Sequence, residues 1–281
     1  MKIDFPVEKT IRRRKSVRSY DGTPLTAEEE KQIDDYIELL TQEEVPFPAR
    51  VTIRRIKAGN GVDAERLGTY GIIKGTRQFV GVTVENVLGA MEAVGYVFEQ
   101  FVLYMEHLGL GTCWMAGTFN RNDFENAMEI NENELFAIIS PIGHPADKRR
   151  MFDKVMRKAI SADKRKEWKE LFFLNDFQTP VSKEDAGAYA YPLEMVRLAP
   201  SAVNGQPWRI VKVNGALHFY KAGAAQADKV YDVQKMDLGI AAAHFELAAM
   251  DKSIAGRFEK LDAVQIDGAE KYEYVFSWIE E

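Results

Sequence analysis

The stretch from Val87 to Leu108 constrains the fold most, because it reads as one long helix that is apolar on more than one face. Val87, Met91, Val94, Phe98, Val102 and Met105 recur at helical spacing, and Tyr96, Val97, Phe101 and Leu108 fill other sides of the cylinder. Such a helix belongs between two layers of structure rather than on a surface. Glu92, Glu99 and Glu106 interrupt it and argue against a membrane span. A second apolar run, about Leu238 to Met250, matches it and carries His244 among alanines, which reads as a satisfied core or interface histidine. With 281 residues and 46% hydrophobic content, the chain has enough material for one large domain or two intertwined halves.

The elements around these helices follow the same order twice. In the first half, the capping box Thr26-Ala27-Glu28-Glu29 opens a helix to about Leu40, and Pro48-Ala49-Arg50-Val51 leads into a strand from Thr52 to Ile56. In the second, a helix from Ala186 to Leu198 precedes Pro207-Trp208-Arg209-Ile210. A strand from Arg209 to Val213, the hairpin turn Asn214-Gly215 and a second strand through Tyr220 follow. Val87-Leu88-Gly89-Ala90-Met91 and Asp237-Leu238-Gly239-Ile240-Ala241 open the two long helices, and strands from Leu135 to Ile142 and from Tyr272 to Ile279 close the halves. An internal duplication explains the order, with chance likeness of two α+β stretches as the competing explanation. The expected division is residues 1–160 and 161–281, intertwined. The charged segment from Asp153 to Asp185 reads as the crossover between them. Lys154, Arg157, Lys158, Lys164, Arg165, Lys166 and Lys169 would form its solvated helix face, and Trp168, Leu171, Phe172 and Phe173 its apolar side.

Two segments carry chemistry. Ala199-Pro200-Ser201-Ala202-Val203-Asn204-Gly205-Gln206-Pro207-Trp208 joins a helix to a strand. Its small residues would let the backbone approach a flat ring, and the Asn204 and Gln206 amides offer donors and acceptors for a polar edge. An ordinary connecting loop is the alternative. Near the N-terminus, Arg12-Arg13-Arg14-Lys15-Ser16-Val17-Arg18-Ser19-Tyr20 concentrates five cations and two Ser hydroxyls suited to a phosphate. A nucleic-acid arm is disfavoured, because the net charge is −6 and no second basic, aromatic-interleaved tract completes a stripe. Cys113 is the single cysteine, which excludes an intrachain disulfide and any CxxC motif, and it reads as a buried thiol beside the site. The four histidines show no zinc spacing, so no metal is expected. Without an apolar N-terminal segment or a run of spanning length, a cytoplasmic protein with no membrane partner is expected.

Arg14-Lys15-Ser16-Val17-Arg18 and the Ala199 to Trp208 loop together resemble the signatures of the flavin-dependent nitroreductase family. Leu108-Gly109-Leu110-Gly111-Thr112-Cys113-Trp114-Met115-Ala116-Gly117 is similar to that family's segment after its central helix. Gly143-His144-Pro145 with Lys148-Arg149-Arg150 resembles its late strand end and basic tail. The amide loop lies far downstream of the arm, unlike the family's usual order, and the duplication accounts for this. The resemblance therefore implies an α+β, nitroreductase-like fold of two tandem repeats around antiparallel-containing sheets, forming a pseudo-dimer within one chain. It is similar to a small fused subgroup typified by a thermophile protein. One composite FMN site is implied. Arg14, Lys15, Ser16 and Arg18 would come from the arm, with Arg14 and Ser16 at the phosphate helped by Lys148 and Arg150, and Arg18 at the ring edge. Trp114, Met115, Ala116 and Gly117 would present backbone to the ring. Pro200, Ser201, Ala202 and Asn204 would close over it, and Gln206 would support the loop. The family's usual polar residue in the post-helix segment is Ala116 here. At the reciprocal site Val45-Pro46-Phe47 replaces the amides. The implied activity is hydride transfer from NAD(P)H through FMN to a small-molecule acceptor such as a nitroaromatic or quinone, with no dedicated catalytic side chain. A flavin- or nucleotide-sequestering protein that has lost turnover and a fold-only interaction protein are the alternatives. A fused pseudo-dimer would suffice as a monomer.

Overall fold

In a computed structural model, residues 5–57, 68–117, 119–128, 130–147, 150–223, 231–262 and 264–281 are described. The first half runs α1 (Val7–Arg13), α2 (Ala27–Gln42), β1 (Val51–Lys57), β2 (Gln78–Glu85), α3 (Ala90–His107), β3 (Gly111–Thr112), α4 (Arg121–Met128) and β4 (Glu134–Gly143). The crossover contributes α5 (Met151–Ala159) and α6 (Trp168–Leu171). The second half follows as β5 (Phe172–Leu174), α7 (Lys183–Ala186), α8 (Ala190–Leu198), β6 (Trp208–Val213), β7 (Ala216–Ala222), α9 (Val233–Asp251), β8 (Gly256–Glu259) and β9 (Tyr272–Glu280).

Each half builds its own sheet. The first is ordered β1-β2-β4-β3, and the second β5-β6-β7-β9-β8. With β5 set aside the two orders are the same, a hairpin followed by a long helix and a second antiparallel pair. Among the described strands only β5, laid parallel beside β6, breaks the match.

The two long helices cross where both have a glycine. A Cβ on Gly95 would lie 2.0 Å from the Met236 carbonyl oxygen, and a Cβ on Gly239 would lie 2.0 Å from that of Glu92. The contacts are reciprocal in register, so Gly95 and Gly239 occupy equivalent positions about a pseudo-two-fold axis. Backbone-to-backbone packing buries α3 and α9 on nearly every side. Fully buried Phe98, Phe101 and Phe245 anchor this layer, each contributing about 1.5–3 kcal/mol through burial.

Several boundaries differ from the sequence reading for local reasons. The helix expected from Val87 begins at Ala90, because Gly89 takes a left-handed conformation (φ 88°) at its N-cap. The helix expected from Ala186 to Leu198 is broken at Gly187 (φ 59°) into α7, a short 3-10 turn and α8. Phe172 and Phe173 belong to strand β5, not to a helix face. Strand β2 shows no alternation in sequence, because six consecutive residues, Phe79 to Val84, are buried.

Candidate functional site

The arm after α1 runs in extended conformation, so side chains alternate between two faces. Val17 N–H donates to the Thr112 carbonyl at 2.8 Å, Tyr20 N–H to Lys74 at 2.9 Å, and the Tyr20 hydroxyl to Val17 at 2.9 Å. This buries Val17 and Ser19 and leaves Arg14, Ser16 and Arg18 half-buried on one side. Gly111 permits the close approach, since a Cβ there would strike Val17.

The post-helix segment lies next to the arm. Met115 and Ile139 exchange backbone hydrogen bonds at 3.1 Å, and Cys113 N–H donates to Ser140 Oγ at 3.0 Å. Trp114 donates from Nε1 to Glu99 Oε2 at 2.8 Å, while Glu99 Oε1 meets His244 Nε2 at 2.9 Å. His244 Nδ1 reaches the Met195 carbonyl at 3.0 Å. The histidine is thus a satisfied core residue that, through Glu99, fixes the indole from the far helix. Burial pushes the Cys113 thiol up and keeps it protonated at neutral pH, which fits a packed thiol rather than a nucleophile.

The loop from Ala199 to Trp208 arrives from the second half. Val203, Asn204 and Gln206 all have positive φ, and Val203 is 77% exposed. A β-branched residue rarely adopts that conformation, so the loop holds strain fixed by its anchors. Ala202 N–H donates to Asp237 Oδ1 at 2.9 Å, and Gln206 N–H to Ser201 Oγ at 2.9 Å. Asn204 Nδ2 donates to the carbonyls of Ser161 at 2.7 Å and Lys164 at 3.0 Å, and Gln206 Oε1 accepts from Lys166 N–H at 2.8 Å.

These three segments enclose two joined spaces. One is an apolar chamber of about 250 Å³ walled by Ser16, Arg18, Trp114 to Gly117, Pro200 to Val203, and Met236, Asp237 and Ile240 of α9. The other is a cationic cleft of about 360 Å³ lined by Arg14, Lys15, Ser16, Arg157, Arg165, Ser201 and Asn204. Ser16, Ile160, Pro200 and Ser201 border both. Arg14 Nε is buried without a hydrogen-bond partner, its nearest carboxylate being Glu99 at 3.8 Å. Arg165 spends its guanidinium on the carbonyls of Leu198, Ala162 and Lys164 and on Asn204 Oδ1. Burial and then the like charge of Arg14 hold Arg165 below the ordinary arginine range, as expected of cations crowded around a space for an anion.

The expected site residues therefore divide. Arg14, Lys15, Ser16, Arg18, Trp114, Met115, Ala116, Gly117, Pro200, Ser201, Ala202 and Asn204 line the chamber or the cleft. Gln206 does not: only 3% exposed, it braces the loop against the crossover. The Asn204 amide, read as free for a ring edge, is spent on crossover carbonyls. Arg150 lines neither space, because its guanidinium is occupied by Ser19, Asp153 and the carbonyls of Gly71 and Ile72. Lys148 lies outside the described residues. Sequence reading missed Arg157, Arg165 and Asp237. The two arginines were hidden in a run that resembled a solvated face, whereas Asp237 is a carboxyl among apolar residues of a buried helix, a pattern that sequence alone can show.

The family model described as "Putative TM nitroreductase" matches residues 6–249. The chain belongs to this family. Membership makes this nitroreductase-family chain an oxidoreductase. It is similar in fold to the crystal structure of a "putative nitroreductase" from Thermotoga maritima, with a TM-score of 0.62 and 18% identity over 100% of this chain and 96% of that one. A nitroreductase-family protein from Exiguobacterium sibiricum, solved in complex with FMN, matches 55% of this chain and 97% of its own at 14% identity and a TM-score of 0.42. One from Clostridium novyi covers 53% of this chain and 91% of its own at 18% identity and a TM-score of 0.41. No curated protein matches. Among the described residues no helix is long and apolar enough to cross a membrane.

Proposed function

We propose that this chain is an FMN-dependent oxidoreductase that takes two electrons from NADH or NADPH and passes them to a small acceptor such as a nitroaromatic or a quinone. The observation that carries this reading is the joining of an apolar chamber to an arginine-lined cleft, with segments of both halves bordering each. A planar ring with a phosphate tail needs that pair of environments. Arg14 Nε, buried without a hydrogen bond and 3.8 Å from Glu99, gives the tail a donor whose hydrogen-bonding capacity the protein itself leaves unused.

Arg14, Lys15, Ser16 and Arg165 would hold the phosphate, and Arg18 would oppose negative charge gathered on the ring. The backbone of Trp114 to Gly117 would border one part of the ring, with Pro200, Ser201 and Ala202 closing over another. FMN, when bound, supplies the two-electron chemistry, which the side chains alone lack. The protein's own work is to orient the ring, exclude water from the chamber and keep Cys113 protonated. The division into residues 1–160 and 161–281 belongs to this proposal, with one half giving the arm and the other the loop. Because both halves are in one chain, the monomer is taken as the working unit, in the cytoplasm.

The test is turnover of NADH or NADPH by flavin-loaded protein with menadione or nitrofurazone as acceptor. Acceptor-dependent oxidation of the nicotinamide is expected. Tight flavin binding without such oxidation would instead mark a flavin-sequestering protein.

A further inference from the structure

Reducing a quinone to a neutral hydroquinone requires a proton as well as a hydride equivalent, and the residues assigned so far supply none. Asp237, in the second turn of α9, is 3% exposed and forms part of the chamber wall. Its Oδ1 accepts the Ala202 N–H at 2.9 Å, and among the described residues Oδ2 has no hydrogen-bond or ion-pair partner. Its helical neighbours Met236, Leu238 and Ile240 are buried.

The charged and titratable groups around it have other partners or stand apart. Arg18 borders the same chamber from the arm without an ion pair to Asp237, and Cys113 is held as a thiol. Asp232, at the N-cap of α9, is paired with Lys221 at 2.5 Å. Glu92 of α3 feels Lys235 and Lys260. From α5 and the loop the chamber receives only Met156, Ile160, Pro200, Ser201, Ala202 and Val203. Burial, slightly reinforced by Asp232 and opposed by the Ala202 N–H, pushes the Asp237 carboxyl well above the usual carboxylate range. At the equivalent position of α3, set by the glycine crossing, the residue is Ala93. The acid therefore accompanies this chamber and not its counterpart.

We propose that Asp237 is the proton donor to the electron acceptor in the chamber. This rests on the oxidoreductase reading above. With a quinone, a hydride equivalent drawn from the nicotinamide forms one new bond to hydrogen on the acceptor. The Asp237 carboxyl O–H breaks and its proton goes to a quinone oxygen. Both electrons end on the hydroquinone, and the Asp237 carboxylate regains its proton from water.

Asp237→Asn in flavin-loaded protein keeps the volume and an acceptor for Ala202 N–H. Measured against the same protein's rate of flavin reduction by NADPH, reoxidation by menadione should slow by about 10²-fold in the variant. In the wild type that rate should fall as pH rises through the titration of Asp237, and the Asn variant should lose the dependence. Asp237→Glu should restore it. An Asn variant with the wild-type rate and pH profile would overturn the proposal and leave Asp237 as a loop anchor. If the protein takes up no flavin, the oxidoreductase reading fails on its own. Asp237 is then examined by the infrared difference between wild type and Asp237→Asn at neutral pH. A protonated-carboxyl stretch unique to the wild type would support a proton stored there, and its absence would overturn the proposal.

Discussion

Arg165 illustrates how far a single residue can depart from what its sequence neighbourhood suggests. It stands in a run of lysines and arginines, yet it is turned inward against four oxygen acceptors and the edge of the cleft. None of those acceptors is a carboxylate, so its charge is left for an anion. Arg165→Ala should therefore weaken FMN binding by about 10-fold to 100-fold, as for loss of one charge-assisted hydrogen bond of about 1.5–3 kcal/mol. Fluorescence titration of the stripped protein with FMN would measure it, and an unchanged dissociation constant would remove Arg165 from the phosphate. The arm was more legible, because Arg14, Ser16 and Arg18 alternate in an extended strand and so fall on one face. The Asn204 and Gln206 amides were legible only as chemistry. Which carbonyls they would satisfy depended on where the crossover residues 161–166 came to rest, and no local pattern encodes that.

Among the elements, the crossing of α3 and α9 is the most exacting contact. Alanine is ordinarily the better helix former by about 1 kcal/mol, so a surface Gly→Ala change in a helix stabilises. At Gly95 or Gly239 the added Cβ would sit 2.0 Å from a backbone carbonyl oxygen of the other helix, and a carbonyl cannot swing aside as a side chain can. Gly95→Ala and Gly239→Ala should each destabilise by about 1–3 kcal/mol, the usual cost of overpacking a core. Urea unfolding would register the loss, and a gain in stability would refute the close crossing. The long helices themselves were readable from sequence because each is long, apolar on several faces and begins near a glycine or a cap. The capping box at Thr26 and the Asn214-Gly215 turn were readable for similarly local reasons. Strands β2 and β5 were not, since one is buried on both faces and the other is three residues long and pairs with a distant strand.

For the molecule as a whole, the duplicated topology raises the question of whether one chain offers one site or two. The glycine crossing sets the correspondence: Asp237 matches Ala93, and Ile240, on the chamber wall, matches Tyr96. At that second position Phe47 packs edge-on against Tyr96, with ring centroids 5.6 Å apart, and against Phe276 at 5.2 Å. Phe258 stacks on Phe47 from further out, at 6.4 Å. Phe47 comes from Val45-Pro46-Phe47, the segment standing where the other half has its amide loop, so aromatic core occupies the counterpart of the chamber. The segment entering the second half is the crossover, whose sequence does not repeat the arm Arg14-Lys15-Ser16-Val17-Arg18. Flavin released by denaturation should therefore amount to about one FMN per chain, and two would contradict the filled second position. Phe47→Ala separates filling from chemistry. It should cost about 3–5 kcal/mol of stability as a large-to-small core change, and still leave the count at one, because the rings of Tyr96, Phe258 and Phe276 that surround Phe47 offer a phosphate no charge.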